Sequence, residues 1–181
     1  MEYVAFTTTQ LQYLGDQDQQ LAPYFVGVFA ADELPASPRR DIPQAYIVNT
    51  DPRTQPGTHW IALYTNHGRC DVMDSYGLPY TYYSSPFERW IARYWKEEDV
   101  TQNTQTLQTV FSHSCGQYAL MYLKYRVRGR SLDDFLDQFK KHDYVYNDHK
   151  VGQMTQRAIV NTLFYPACCL ERDQTNGIKM T

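Results

Sequence analysis

One stretch limits what this chain can fold into more than any other: Gln108-Thr-Val-Phe-Ser-His-Ser-Cys-Gly-Gln-Tyr118. An apolar, β-rich run over residues 107–111 meets a polar turn, and a helix-forming run over 118–128 follows at once. At the junction stands Cys115, followed by Gly116. A thiol in the first turn of a helix lies in the field of the helix's positive end. Backbone N–H groups there lack intrahelical partners, so the thiolate is favoured. That environment makes a cysteine nucleophilic near neutral pH. The other reading is a small buried apolar residue, as most free cysteines are. Partners elsewhere in the chain have to decide between them.

The chain of 181 residues fits one domain over 1–181, with enough sequence to bury a substantial core. With 43 % hydrophobic and 20 % charged residues, it reads as a folded globular protein. A net charge of −3 gives no global basic character that would demand nucleic acid. The cysteines Cys70, Cys115, Cys168 and Cys169 show no metal-ligand spacing, and the adjacent pair makes no plausible mutual disulfide. Neither a signal peptide nor a membrane-spanning run is apparent, which points to a soluble protein of a reducing compartment.

In chain order, residues 7–20 suggest a short helix, and the aromatic and β-branched run 24–29 a strand. Three prolines mark 32–43 as a loop. Strands follow at 45–49, 59–64 and 70–74, the last two joined by the hairpin turn Asn66-His67-Gly68. Pro86 opens a helix to about residue 96. Residues 104–111 read as a further strand leading into the cysteine helix. Ser131-Leu-Asp-Asp134 looks like a capping box for a helix to about residue 141. A last helix is expected over 151–163, and the tail after 169 as polar and frayed. With no repeat or linker, this is one α+β domain.

A cysteine nucleophile needs a base, something to orient that base, and donors for an oxyanion. His59 opens one strand of the hairpin and Asp74 ends the other, so the antiparallel pairing makes them neighbours. A carboxylate there fixes the imidazole tautomer and stabilises the imidazolium. Gln108, on the strand leading to Cys115, offers an amide N–H beside the backbone N–H of Cys115. Each residue alone has a plainer reading: a structural histidine, a turn aspartate, a solvated glutamine. Their compatible placement is what carries weight. His113 lies too close along the chain to serve as base and reads as a rim residue. His142 and His149, flanking Asp143 and Asp148, read as a solvated loop, and Cys70 as a buried strand residue.

The set His59-Trp60, Asp74-Ser-Tyr-Gly77, Gln108 and Ser114-Cys115-Gly116 resembles the adenovirus-protease (adenain) group of cysteine peptidases, in the clan of the SUMO-cleaving proteases. Pro23-Tyr-Phe-Val-Gly27 and Ile47-Val-Asn-Thr50 extend the likeness in the same order. The resemblance implies a papain-like, adenain-type α+β fold: a central mixed sheet of about five strands, with the nucleophile at the start of a central helix. It further implies Cys115 as nucleophile, His59 as general base, Asp74 as its orienter, and Gln108 with the Cys115 backbone N–H as the oxyanion hole. Trp60 would shield or stack at the substrate site, or serve as a core aromatic.

This sequence departs from the adenovirus pattern in places. Asp74 stands where those enzymes generally carry Glu; the SUMO proteases carry Asp, as here. Adenovirus enzymes are activated by a peptide disulfide-linked to a cysteine between the carboxylate and the nucleophile, and residues 76–114 contain none. A tethered activator is therefore not expected, which leaves a noncovalent peptide. DNA, the group's other cofactor, would find its nearest basic run at Lys124, Arg126, Arg128 and Arg130. That run also reads as macrodipole stabilisation with a solvated face. No metal is implied. The expected activity is that of a monomeric endopeptidase of a DNA virus or virus-like transposon, maturing capsid or core precursors in the virion and host nucleus. Cleavage would follow small residues such as glycine, in a narrow cleft beside Trp60. The alternatives are a SUMO- or ubiquitin-like-protein isopeptidase and a noncatalytic binding module on the same fold.

Overall fold

The computed structural model describes residues 5–164. Among them, strands β1 (Phe25–Phe29), β2 (Gln44–Asn49), β3 (Trp60–Asn66), β4 (Arg69–Met73) and β5 (Val100–Gln102) form one sheet in chain order. The central pairings β2–β3 and β3–β4 are antiparallel, and the flanking pairings β1–β2 and β4–β5 are parallel. The helices are α1 (Thr8–Gln17), α2 (Pro86–Tyr94), α3 (Cys115–Arg126), α4 (Leu132–Leu136) and α5 (Tyr144–Phe164). This is the mixed, five-stranded α+β arrangement expected, with Cys115 opening the central helix.

The near-continuous apolar runs in β2 and β3 arise because the sheet is covered on both faces. Alternate residues part company: Ala45, Ile47, Ala62, Tyr64 and Met73 join the core shared with α1, α3, α4 and α5. Tyr46, Val48, Ile61, Leu63, Cys70 and Val72 face the other way, onto Phe87, Trp90 and Ile91 of α2. Helix α3 is buried from residue 116 to 124 without a break. A helix enclosed on all sides shows little amphipathic pattern, so its apolar character gave no hint of which side meets the sheet.

The hairpin forms as expected. His67 (φ 45°) and Gly68 (φ 79°) both take left-handed conformations, and Asn66 pairs with Arg69 across this two-residue turn. Such a turn matches the strand twist and pins the register. Four element boundaries differ from expectation. Residues 104–111 are not a strand. Val100–Gln102 occupies the slot beside β4, and the backbone N–H groups of Leu107 and Gln108 both donate to the Ser75 carbonyl. The Ser131 capping box is present, but α4 stops at Leu136, because Asn147 engages both the N–H and the carbonyl of Lys140. The last helix begins at Tyr144 rather than near 151, since the Asp143 carboxylate accepts from the Tyr146 N–H at 3.2 Å and starts it early. The supposed solvated loop around residues 142–149 is therefore mostly helix. The tail after 169, with Cys168 and Cys169, lies outside the described residues.

Candidate active site

The antiparallel ladder delivers an imidazole and a carboxylate to the same place. His59 immediately precedes β3, its carbonyl accepting from the Thr50 N–H at 2.9 Å. Asp74 immediately follows β4, and His59 Nε2 lies 2.7 Å from Asp74 Oδ1, both side chains buried. Continuing the register beyond Ala62–Met73 sets His59 across from Tyr76, whose ring stacks on the imidazole at 4.4 Å. The Asp74–Gly77 turn closes with Gly77 N–H donating to the Asp74 carbonyl. A Cβ on Gly77 would come within 2.7–2.8 Å of the backbone of residues 104–106, so this position admits glycine alone.

The Asp74 carboxylate is saturated with donors. Oδ1 also accepts from the Tyr76 N–H at 2.8 Å, and Oδ2 from the Tyr83 hydroxyl at 2.6 Å. The backbone of Asp74 is held by Asn103, whose Oδ1 accepts from the Asp74 N–H (2.9 Å) while its Nδ2 donates to the Asp74 carbonyl (2.6 Å). Tyr83 and Asn103 belong to the site but carry no local sequence signal, whereas Tyr76 falls within the Asp74–Gly77 segment of the resemblance. Aromatic and amide side chains in turns are common, and these contacts depend on the fold.

With Nε2 committed to Asp74, Nδ1 is the ring nitrogen left for Cys115. Burial opposes the imidazolium, but the hydrogen bonds and charges of Asp74 and Cys115 outweigh it and raise the His59 pKa to about 9. At Cys115 burial likewise opposes ionisation. The His59 ring, then backbone groups of Trp60 and Gly116, overcome this and hold the thiol below its ordinary value. Both shifts favour one state, a thiolate beside an imidazolium. By contrast Cys70, fully buried in the sheet, has its thiol pushed well up by desolvation and the neighbouring Asp71.

Gln108 is buried next to this pair, though on an irregular segment instead of a strand. Its Oε1 accepts from the Ser75 hydroxyl at 2.6 Å and its Nε2 donates to the Ser112 carbonyl at 2.9 Å, which leaves one N–H of the amide. The segment is braced from below by Asp148 of α5, which accepts from the Thr109 N–H and the Tyr118 hydroxyl. Desolvation raises the Asp148 pKa, against the hydrogen bonds it accepts. So held, the loop turns Val110 and Phe111 outward, 73 % and 91 % exposed, although their apolar character suggested a core strand.

A cleft of about 780 Å³ opens over Cys115, lined by Trp60, Tyr76, Val110, Ser112 and His113 on one part and by the residue 49–58 loop on another. Trp60 lines the cleft and also packs against the main core, its indole N–H donating to the Phe6 carbonyl at 3.3 Å. His113 sits at the rim. The basic run of α3 does not form one exposed face. Lys124 is buried against Asp18, and Arg126 pairs with Asp71 at 2.7 Å while lying over the Tyr64 ring. Arg128 donates to Gln20, and Arg130 borders a groove that also holds Asp134 and Asp137. Spacing along the sequence cannot reveal these inward partners. Among the described residues no cluster of His, Cys, Asp and Glu could hold a metal ion, and no helix is long and apolar enough to cross a membrane.

The pattern of the adenovirus endoprotease family matches residues 25–148, which include every side chain of this constellation. A protein named Protease from Human adenovirus A serotype 12 is 33 % identical over 119 residues, covering 59 % of this chain and 57 % of that protein. The chain thus spans little more than half the length of that curated relative. Two solved structures are more distantly similar. The ASFV pS273R protease has a TM-score of 0.46 and 16 % identity, over 76 % of this chain and 65 % of its own. ChlaDub1 from Chlamydia trachomatis has a TM-score of 0.45 and 14 % identity, over 91 % of this chain and 81 % of its own. The chain belongs to the adenovirus endoprotease family.

Proposed function

We propose that this protein is a cysteine endopeptidase with Cys115 as nucleophile, His59 as general acid–base and Asp74 as its orienter. The observation that carries the reading is the buried imidazole held by Asp74 at 2.7 Å beside a thiol of lowered pKa. The Cys115 thiolate attacks the scissile carbonyl carbon, and the carbonyl π pair moves onto oxygen. The remaining N–H of Gln108 and the Cys115 backbone N–H at the start of α3 stabilise that oxyanion. Collapse re-forms the carbonyl and breaks the C–N bond, while the His59 imidazolium gives its proton to the leaving amine. The resulting thioester is hydrolysed by a water that His59 deprotonates, releasing the acid product and restoring the ion pair. Asp74 keeps Nε2 occupied throughout.

The substrates on this reading are viral structural precursors cleaved after small residues, with work in the virion and the infected nucleus. Trp60 and Tyr76 line the cleft next to Cys115 and favour a residue without a side chain between them. Any polyanion such as DNA would engage Arg128 and Arg130, because Lys124 and Arg126 are already paired.

The test is to incubate the protein and Cys115→Ala with a glycine-rich peptide library, with SUMO and ubiquitin C-terminal reporters, and with a thiol-alkylating probe. Cleavage of short peptides, lost in Cys115→Ala, is expected. Cleavage of the reporters alone would establish an isopeptidase. A Cys115 no more reactive than an ordinary surface thiol would end the enzymatic reading in favour of a binding module.

A further inference from the structure

We infer that Ser75 is a positioning residue that fixes the Gln108 amide with its N–H edge toward the oxyanion. This rests on the proposed role of Gln108. Ser75 makes three hydrogen bonds to the residue 107–108 segment. Its carbonyl accepts from the Leu107 N–H at 2.8 Å and from the Gln108 N–H at 3.1 Å, and its hydroxyl donates to Gln108 Oε1 at 2.6 Å. Both residues are 1 % exposed, so neither side chain has water as an alternative partner.

An amide has two chemically opposite edges, and an oxyanion donor works in one orientation alone. The Ser112 carbonyl, 2.9 Å from Gln108 Nε2, can only accept. The Ser75 hydroxyl meets the other edge and donates to it. Donation to Oε1 also draws electron density from the amide nitrogen and strengthens its N–H groups as donors. Without that hydroxyl, Oε1 is a buried acceptor with no partner. Nothing then distinguishes the two edges of the amide at that end, and a flipped amide presents an acceptor where a donor is required. Ser75 directly follows Asp74, so one dipeptide orients the base through its first residue and the oxyanion donor through its second.

A peptide aldehyde ending in glycinal reads this directly. Cys115 sulfur adds to the aldehyde carbon, the carbonyl π pair moves to oxygen, and the hemithioacetal oxygen occupies the oxyanion position. Alkylation by iodoacetamide reports the thiolate and needs no oxyanion donor. Ser75→Ala is expected to weaken aldehyde binding about tenfold, the scale of one hydrogen bond. Gln108→Ala weakens it about a hundredfold, the lower end for loss of an oxyanion donor. The double variant binds no more weakly than Gln108→Ala, and Ser75→Thr binds as wild type. The pH profile of alkylation is the same in all of them. A Ser75→Val and Ser75→Thr pair repeats the comparison if the alanine variant does not fold.

Undiminished binding in Ser75→Ala or Ser75→Val would overturn the inference, as would an additive loss in the Gln108→Ala background. A shifted alkylation profile would also overturn it, because Ser75 would then act through Asp74. Undiminished binding in Gln108→Ala, or none in the wild type, would instead overturn the underlying reading of the site.

Discussion

Asn103 grips the backbone of Asp74 from both sides, accepting from its N–H at 2.9 Å and donating to its carbonyl at 2.6 Å. It is 3 % exposed and also donates to the Gln105 carbonyl. One amide thus joins the end of β5 to the end of β4, where the orienting carboxylate sits. Asn103→Leu would leave the N–H of Asp74 buried without a partner and its carbonyl with the Gly77 N–H alone, at a cost of about 2 kcal/mol. The expected outcome is a lowered midpoint in urea together with a reduced kcat. Asn103→Asp keeps one acceptor but sets a second oxygen against the Asp74 and Gln105 carbonyls, and should lose at least as much. Unchanged stability in the leucine variant would mean that Asp74 is held by its side chain and the Gly77 turn without Asn103.

The ion pair sets a pH window. His59 must be protonated to supply the leaving amine, so activity is expected to fall as pH rises through about 9, the raised His59 value. Cys115 must be ionised, and its lowered pKa extends activity below the ordinary thiol range, until the thiolate is protonated. Alkylation rate against pH measures the second limb. A rate that rises only around the free-thiol value of about 8.5 would show that His59 does not activate Cys115.

Two histidines near the cleft should behave differently. His59→Ala removes the proton carrier and is expected to lower kcat by 10²-fold or more, the usual range for general acid–base groups. His113 is an exposed residue of the cleft lining, and His113→Ala should change kcat less than about threefold. Equal losses in kcat/KM would mean that the base has been wrongly chosen.

The Lys124–Asp18 pair is buried, and its value is structural. Burial disfavours the Asp18 carboxylate, but the Lys124 hydrogen bond and charge prevail and hold its pKa below the ordinary value. That contribution to stability is present above the unfolded carboxylate pKa and is lost as pH falls through the lower folded one. Lys124→Ala strands the carboxylate and is expected to destabilise by about 3–5 kcal/mol. Thermal melting of the variant measures it. Normal melting with weakened binding to DNA would assign the lysine to a nucleic-acid surface after all.

The hairpin that unites His59 and Asp74 was legible because two short apolar runs joined by a two-residue turn fix a register. Cys115 was legible because the apolar run stops just before a helix. The strand expected over 104–111 failed for a physical reason. Local propensity favoured extension, but the Ser75 carbonyl and Asp148 captured its N–H groups, and Val100–Gln102 had already taken the sheet edge. Asn103, Tyr83 and Asp18 were invisible because each acts through a partner distant in sequence, 29, 9 and 106 positions away. Polar residues carry no periodic pattern that announces such contacts.

Activation of Cys115 depends on groups that meet only when the chain is complete. The His59 ring and the backbone of Trp60 come from the hairpin, and Gly116 comes from the enclosed helix that packs beneath it. An unfolded chain lacks the His59 ring, the Trp60 backbone and the ordered helix start around its thiol and is left with ordinary thiol chemistry. Thiolate reactivity at Cys115 is therefore itself a report that the native core has closed.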